Sequence, residues 1–284
     1  AGYSTVTTKT ANGEHGDVSH FVAADFSAWL DTVVRKPVPP TAIPPAENTT
    51  LGQELPVTTG LLADFVANDL TVANDITSWT PARGSELTPA VNTSGDTTRC
   101  PDVVVSSVLA GKKAVKFTKS LNQYLRTVAW ATVHNVPLTI YTVHAKGADV
   151  VGSVYSGRAS TNYAFLSVTS GLPDRHSSNA GAATGNLATG PNTVAPNTPY
   201  VTGQVFNGAD SSIRSNALDE GAIGATGTSA AAGLSGLAIA NNTGLSAAME
   251  GEVFRLVVFA GAHSATDARR CMQSLGAQYG VTIN

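Results

Sequence analysis

Two hydrophobic periodicities divide this chain. Between Val18 and Val34, apolar residues recur at three- and four-residue spacing: Val18, Phe21, Val22, Phe26, Trp29, Leu30, Val33 and Val34. That spacing lines them up on one stripe of an amphipathic helix. Asp17 suits the N-cap, and Arg35-Lys36 followed by Pro37 makes a basic end that cannot continue, so a helix is predicted over about 17–36. Pro37, Pro39, Pro40, Pro44 and Pro45 then form a stiff extended arm over 37–45. Before the helix, alternating Val and Thr in Tyr3–Thr8 read as an edge strand.

From residue 61 onward the pattern shortens to that of strands. Leu61–Val66 opens this part, and Ile76–Trp79 is a short strand closed by Pro81 and Gly84. Val115 and Phe117 share one face of Gly111–Phe117, with Lys112 and Lys116 assigned to the other face or the turn. Leu138–Val143 has the β-branched and aromatic content of a central strand, and Tyr163–Val168 and Tyr200–Phe206 are similar. Asn207-Gly208 signals a hairpin turn. Gly171–Pro199 reads as strands joined by long loops, and Gly221–Ala240 as a weak strand. The run Met249–Ala260 is a buried strand, followed by a turn and cap at Ser264–Asp267 and a short helix that stops within Ala277–Val281. The expected division is an N-terminal module, 1–60, and a β domain, 61–284. One helix in about 60 residues buries little core, so the stripe of Val18, Phe21, Val22, Phe26, Trp29, Leu30 and Val33 is expected to pack on a neighbour, a partner or a second copy. Packing on its own sandwich is the other reading.

Composition narrows the function. Of 284 residues only 13% are charged, with a formal net charge of -3, and no basic run exceeds a pair. Nucleic-acid binding is therefore not expected, and no stretch approaches the roughly 18 to 20 apolar residues of a membrane helix. The first residues lack a basic segment before an apolar one, so the expectation is a chain folded in a cytoplasm without a signal peptide. Cys100 and Cys271 make neither a disulfide framework nor a metal cluster and read as small buried hydrophobes.

The order Asp75–Trp79, Gly111–Phe117, Leu121–Leu125, Leu138–Val143, Val205–Gly208, Glu250–Phe259 and a closing helix to Tyr279–Val281 resembles the concanavalin A-like lectin/glucanase superfamily. The resemblance is to its laminin-G-like form, common in tailed-bacteriophage virion proteins. It spans roughly four fifths of the chain. It implies a mainly β fold, a two-sheet antiparallel jelly-roll sandwich with a concave sheet that binds sugar in many relatives. The chain departs from the pattern at Arg255, where relatives often carry an acid, and lacks the catalytic branch's Glu-x-Asp-x-(x)-Glu strand.

The chemistry on offer is sparse. Glu250 and Glu252, two apart on a strand, would share a face about 6.5 to 7 Å apart, within reach of glycosidase geometry. A solvated rim explains them equally well. Asp174, Arg175, His176 and His144 are placed in or near loops, and no Gly-x-Ser-x-Gly elbow or paired-histidine motif accompanies them. For sugar contact the candidates are Tyr155, Arg158, Asn162, Tyr163, Asp174, Arg175 and Asn207, while Trp79 and Trp130 read as packed aromatics. No catalytic residue, metal site or cofactor is assigned; Asn207, Asp210, Asn241 and Asn242 are the only oxygen sources brought forward for calcium. The expectation is a structural, non-enzymatic component of a tailed-phage virion, a minor tail or surface protein. Its partners would be other virion proteins and copies of itself, with a host-surface glycan as a further contact. A capsid decoration protein without sugar binding and a glycan-degrading enzyme are the alternatives.

Overall fold

A computed structural model describes residues 54–147, 152–159, 164–169, 175–180, 188–218, 221–222, 233–242 and 246–284. All of these fall in the unit that runs from Gln53 to Asn284. The expected N-terminal helix, its assembly stripe and the Pro-rich arm lie outside the described residues. The strands in chain order begin with β1 (Leu61–Val66), β2 (Ser78–Trp79), β3 (Ala90–Val91), β4 (Asp102–Val105), β5 (Lys113–Phe117) and β6 (Leu125–Thr127). Next come β7 (Leu138–Lys146), β8 (Gly152–Gly157), β9 (Ala164–Thr169), β10 (Arg175–Ala180) and β11 (Ala188–Thr193). The last are β12 (Pro199–Phe206), β13 (Ser212–Ser215), β14 (Gly221–Ala222), β15 (Leu237–Ile239) and β16 (Gly251–Ala260), followed by helix α1 (Ala265–Tyr279).

These strands form two antiparallel sheets, as the resemblance implies. One runs β14-β13-β12-β7-β16-β5-β4, with β1 also paired to β16; the other runs β11-β10-β9-β8-β15-β6-β3-β2. The central strand β7 is buried along its whole length because each of its faces meets a different partner. Leu138 and Ile140 enter the core between the sheets with Phe65, Trp79, Phe117, Phe206 and Leu237. Tyr141, Val143 and Ala145 point the other way, into a second apolar layer beneath α1 with Cys271, Met272, Leu275 and Tyr279. Burying such side chains contributes about 1.5–3 kcal/mol each. The helix is held at both ends: Ser264 accepts a bond from the Asp267 amide, and Gly280 takes a left-handed φ of 68°. Cys100 and Cys271 are free and buried.

One expectation holds and one changes. Asn207-Gly208 opens the hairpin turn between β12 and β13, which pair antiparallel with Val205 opposite Ser212. The intervening loop contains a 3-10 turn, Gly208–Asp210, and Ser211 Oγ accepts from the Asn207 amide at 2.8 Å. The weak strand expected over 221–240 is two separate pieces, β14 and β15, in different sheets.

Strand β16 changes its face midway. Val253 lies between the sheets, Phe254 under the helix, and then Leu256 and Val258 between the sheets again. A shift in the pairing with β7 between Val253 and Arg255 inserts the extra residue that reverses the alternation. At this point the neighbour on the other edge also changes: Val253 pairs with Val115 of β5, and Arg255 with Val66 of β1. The Arg255 side chain turns back to Asp64, donating from Nε and Nη2 at 2.8 Å each. Arg83 Nη2 adds a second cation at 2.8 Å from the same carboxylate. Arg255 Nη1 donates to Gln278 Oε1 of α1 at 2.5 Å. Neither Asp64 nor Arg255 has any exposed surface. Removing one partner of such a pair leaves a buried charge uncompensated, so Asp64→Ala or Arg255→Met is expected to cost about 3–5 kcal/mol in urea unfolding. Combining Arg255→Met with Asp64→Leu should cost less than the sum of the single losses.

Candidate functional site

The residues expected at a sugar-binding rim separate. Tyr155 is a core residue: bulged strand β8 turns its ring between the sheets, where it is fully buried and donates its hydroxyl to Gln204 Oε1 at 2.9 Å. Burial holds that hydroxyl well above the ordinary phenol range, which keeps it a donor. Arg158, just past the end of β8, is half-buried, and its Nε donates to the Thr127 carbonyl at 2.9 Å. Asn207 sits half-buried at the start of the β12–β13 loop, in the other sheet. Arg175 opens β10 opposite Thr169 and Thr193. Asn162, Tyr163 and Asp174 lie outside the described residues. Trp79 and Trp130 are packed aromatics, as expected.

The paired acids do not form a groove. Gly251, with φ of 151°, separates them, and a Cβ there would lie 2.2 Å from the Ala145 carbonyl oxygen. Glu250 Oε2 accepts from the Lys119 amide at 2.8 Å. Glu252 Oε2 accepts from Ser106 Oγ at 2.5 Å, and Ser106 Oγ in turn accepts from the amides of Val108 and Leu109. Each carboxylate thus ties a different loop to β16. The amide oxygens raised as calcium donors are also engaged: Asn241 Oδ1 accepts from the Asn242 and Ala247 amides, and Asn242 Oδ1 from the Ser246 amide.

The histidines are the main correction. His144 and His176 are not loop residues: they lie in β7 and β10, fully buried, on facing strands of the two sheets. Their Nε2 atoms are 2.9 Å apart. His144 Nδ1 meets Thr142 Oγ1 at 2.9 Å, Thr142 meets Thr202 Oγ1 at 2.6 Å, and His176 Nδ1 meets Ser215 Oγ at 2.9 Å. Tyr200 stands against both rings, with centroids 6.2 and 5.0 Å away. Burial pushes His144 down to about 3, and burial together with His144 and Lys146 holds His176 well below the usual imidazole range. Both rings are therefore neutral at pH 7, and one N–H between them serves both. The alternation Thr142, His144, Lys146 inside a strand was the available signal, because it puts all three on the inner face. This seam is enclosed; it joins the sheets and does not present itself to a substrate.

No protein-family model matches the chain, and no curated protein sequence matches it. Among solved structures, it is similar to domain 4 of AbnA, a GH43 extracellular arabinanase from Geobacillus stearothermophilus, in complex with arabinotriose. The TM-score is 0.53 at 14% identity, over 76% of this chain and 100% of that domain. A sialidase from Trypanosoma rangeli matches at a TM-score of 0.48 and 12% identity, over 77% of this chain and 33% of that one. A heptameric pentraxin from Limulus polyphemus matches at 0.42 and 15%, over 51% and 73%. The fold is a two-sheet antiparallel β-sandwich. At 14% identity the likeness to the arabinanase domain is one of fold alone and leaves chemistry to the residues.

Because Glu252 serves as a buried acceptor, Glu252→Ala should destabilise the protein by about 1–3 kcal/mol. Thermal or urea unfolding measures this directly.

Proposed function

We propose that this chain is a non-catalytic display protein that contacts carbohydrate through residues in the sequence between β8 and β9. Arg158, Asn162 and Tyr163 would supply a cation, an amide and an aromatic face to the sugar. The observation that carries the reading is the sandwich shared over the full length of a domain solved with arabinotriose. The separate engagement of Glu250 and Glu252 supports binding over hydrolysis, since a glycosidase needs two carboxyls addressing one bond. The setting proposed is the surface of a tailed-phage virion, on the resemblance in the order of core segments. The apolar stripe from Val18 to Val33 would dock the protein to the particle or to further copies.

One observation favours a scaffold that binds no sugar: every tryptophan and tyrosine among the described residues is buried, from Trp79 to Tyr279. Titration calorimetry of the full chain against arabinotriose and a panel of bacterial surface polysaccharides separates the two. Binding that weakens at least tenfold in Tyr163→Ala, about what losing an aromatic contact costs, and persists in Glu250→Gln, supports the contact. Failure to bind any member of the panel leaves the scaffold reading. The docking role is tested by the solution mass of the full chain against a version lacking residues 1–45. A defined oligomer that becomes a monomer on truncation is expected, and equal monomers would argue against self-assembly.

A further inference from the structure

We propose that the contact between His144 and His176 is an acid-operated latch, which holds β9, β10 and β11 against the opposite sheet when neutral and releases them when both rings are protonated. The reasoning starts from the two Nε2 atoms, 2.9 Å apart. At neutral pH one of them donates and the other accepts, and the Nδ1 atoms are served by Thr142 and Ser215. Adding one proton leaves this arrangement intact. The imidazolium donates from Nε2 to its neutral partner, and both Nδ1–H groups still find hydroxyl acceptors. Adding a second proton puts two N–H donors head-on and two positive charges in contact, with no acceptor between them. The contact must then open.

The surroundings do not offset that charge. On β7 the other ionisable group facing the pair is Lys146, nearly fully buried two residues on, and its cation opposes protonation. Tyr200 of β12 and Tyr155 of β8 are neutral phenols, and Thr202 and Gln204 of β12 are uncharged. On β13, Ser215 is neutral, and Arg214 turns its Nε to the Leu218 carbonyl. Val253 of β16 pairs with His144 and carries no charge. Strands β9, β11 and β14 have no titratable residue in their sequences, and on β10 the remaining charged residue is Arg175. On β7 to β14 no carboxylate stands among the described residues, and on β16 the one carboxylate is Glu252. Glu252, the nearest in sequence to β16's part of the seam, is bonded to Ser106.

The position of the pair decides which strands move. His176 is on β10, which holds β9 on one edge and β11 on the other. Ser178, two residues along β10, is buried but has no hydrogen-bond partner for its Oγ, whereas His176 ties this strand to the facing sheet through His144 and Ser215. At the other end of the same sheet, β2, β3, β6 and β15 are held by Trp79, Ala90, Leu125, Leu237 and Ile239 of the apolar core, which no proton reaches. Acid therefore acts on one end of the sandwich.

The sign follows from linkage. The unfolded or opened chain takes up protons near the ordinary histidine value of about 6.5, and the closed state does so only far below it. The latch's contribution is complete above that value and is lost as pH falls below it. Opening should grow by up to about tenfold per pH unit for each histidine, and up to a hundredfold where both are involved.

Hydrogen exchange of the full chain, compared at pH 6.5 and 4.5 after correction for intrinsic rates, tests this. Loss of protection concentrated in β9–β11, with β7 and β16 still protected and the pH dependence at least halved in His176→Gln, is the expected result. Uniform loss across both sheets, or an unchanged pH dependence in His176→Gln, overturns the latch. Should that variant fail to fold, an NMR titration of the wild-type imidazoles decides instead. At least one ring must stay neutral down to pH 5, and both rings titrating near 6.5 in the closed protein refutes the proposal.

Discussion

The pairing of Asp64 with Arg255 governs how this sandwich is put together. Strand β16 has β7 along one edge, but its other edge is divided between β5 and β1. The change of neighbour occurs where the strand also changes face, between Val253 and Arg255. A bulge alone would leave β1 free to slip by a residue, which would exchange Leu62 and Phe65 for their solvent- or helix-facing neighbours. The two parallel hydrogen bonds from Arg255 to Asp64 admit a single register. Through Gln278 the same guanidinium fixes the end of α1, and Gln278 reaches the Glu54 carbonyl at the start of the described unit. One buried charge pair thus sets the relation of the first strand, the last strand and the closing helix. Taking both charges out of water is costly, and this arrangement offsets that cost by filling their hydrogen-bonding positions.

Given that register, the division into layers follows from β7 and β16. A strand with a solvated face alternates apolar and polar residues, but here α1 covers one face and the second sheet the other, so both must be apolar over most of their length. The exceptions are informative. Toward the Lys146 end of β7 the inner face becomes Thr142, His144 and Lys146, and β12 matches it with Tyr200, Thr202 and Gln204. The core between the sheets is therefore apolar at one end and hydrogen-bonded at the other. Apolar packing there would adhere without direction, whereas hydroxyls and imidazoles bond only in particular geometries. The polar end specifies which strands meet and leaves their adhesion dependent on the protonation of two rings.

What could be read from the chain divides along the same lines. The central strands, the terminal helix and its caps at Ser264 and Gly280 were legible because their signals are local: a run of β-branched and aromatic residues, a cap, a glycine. The bounds of the polar strands β10 and β11 were not, since Ser, Asn, Thr and Gly carry no periodicity that separates a strand from a loop. For the same reason His176, inside Asp174-Arg175-His176, looked like part of a loop. Tyr155 was misplaced because one aromatic in a strand gives no indication of which face it takes, and a bulge after Ser153 decided that. Asp64 and Arg255, 191 positions apart, had no sequence signal linking them. Arg255 stood out only as a departure from the resemblance, and its physical meaning came from a partner at the other end of the domain.

The acids bear on function in the same way. A glycosidase keeps one carboxyl protonated and another ionised across a bound sugar, so both must be free to face the ligand. In this sandwich Asp64 is enclosed by two arginines, Glu252 accepts from Ser106, half-buried Glu250 accepts from a backbone amide, and Glu86 meets His134 at 2.8 Å. Each holds a strand or loop in place, and withdrawing any one for catalysis would loosen the architecture that positions it. Four carboxylates used as fasteners in this way support the proposed reading of a binding surface over one of hydrolysis.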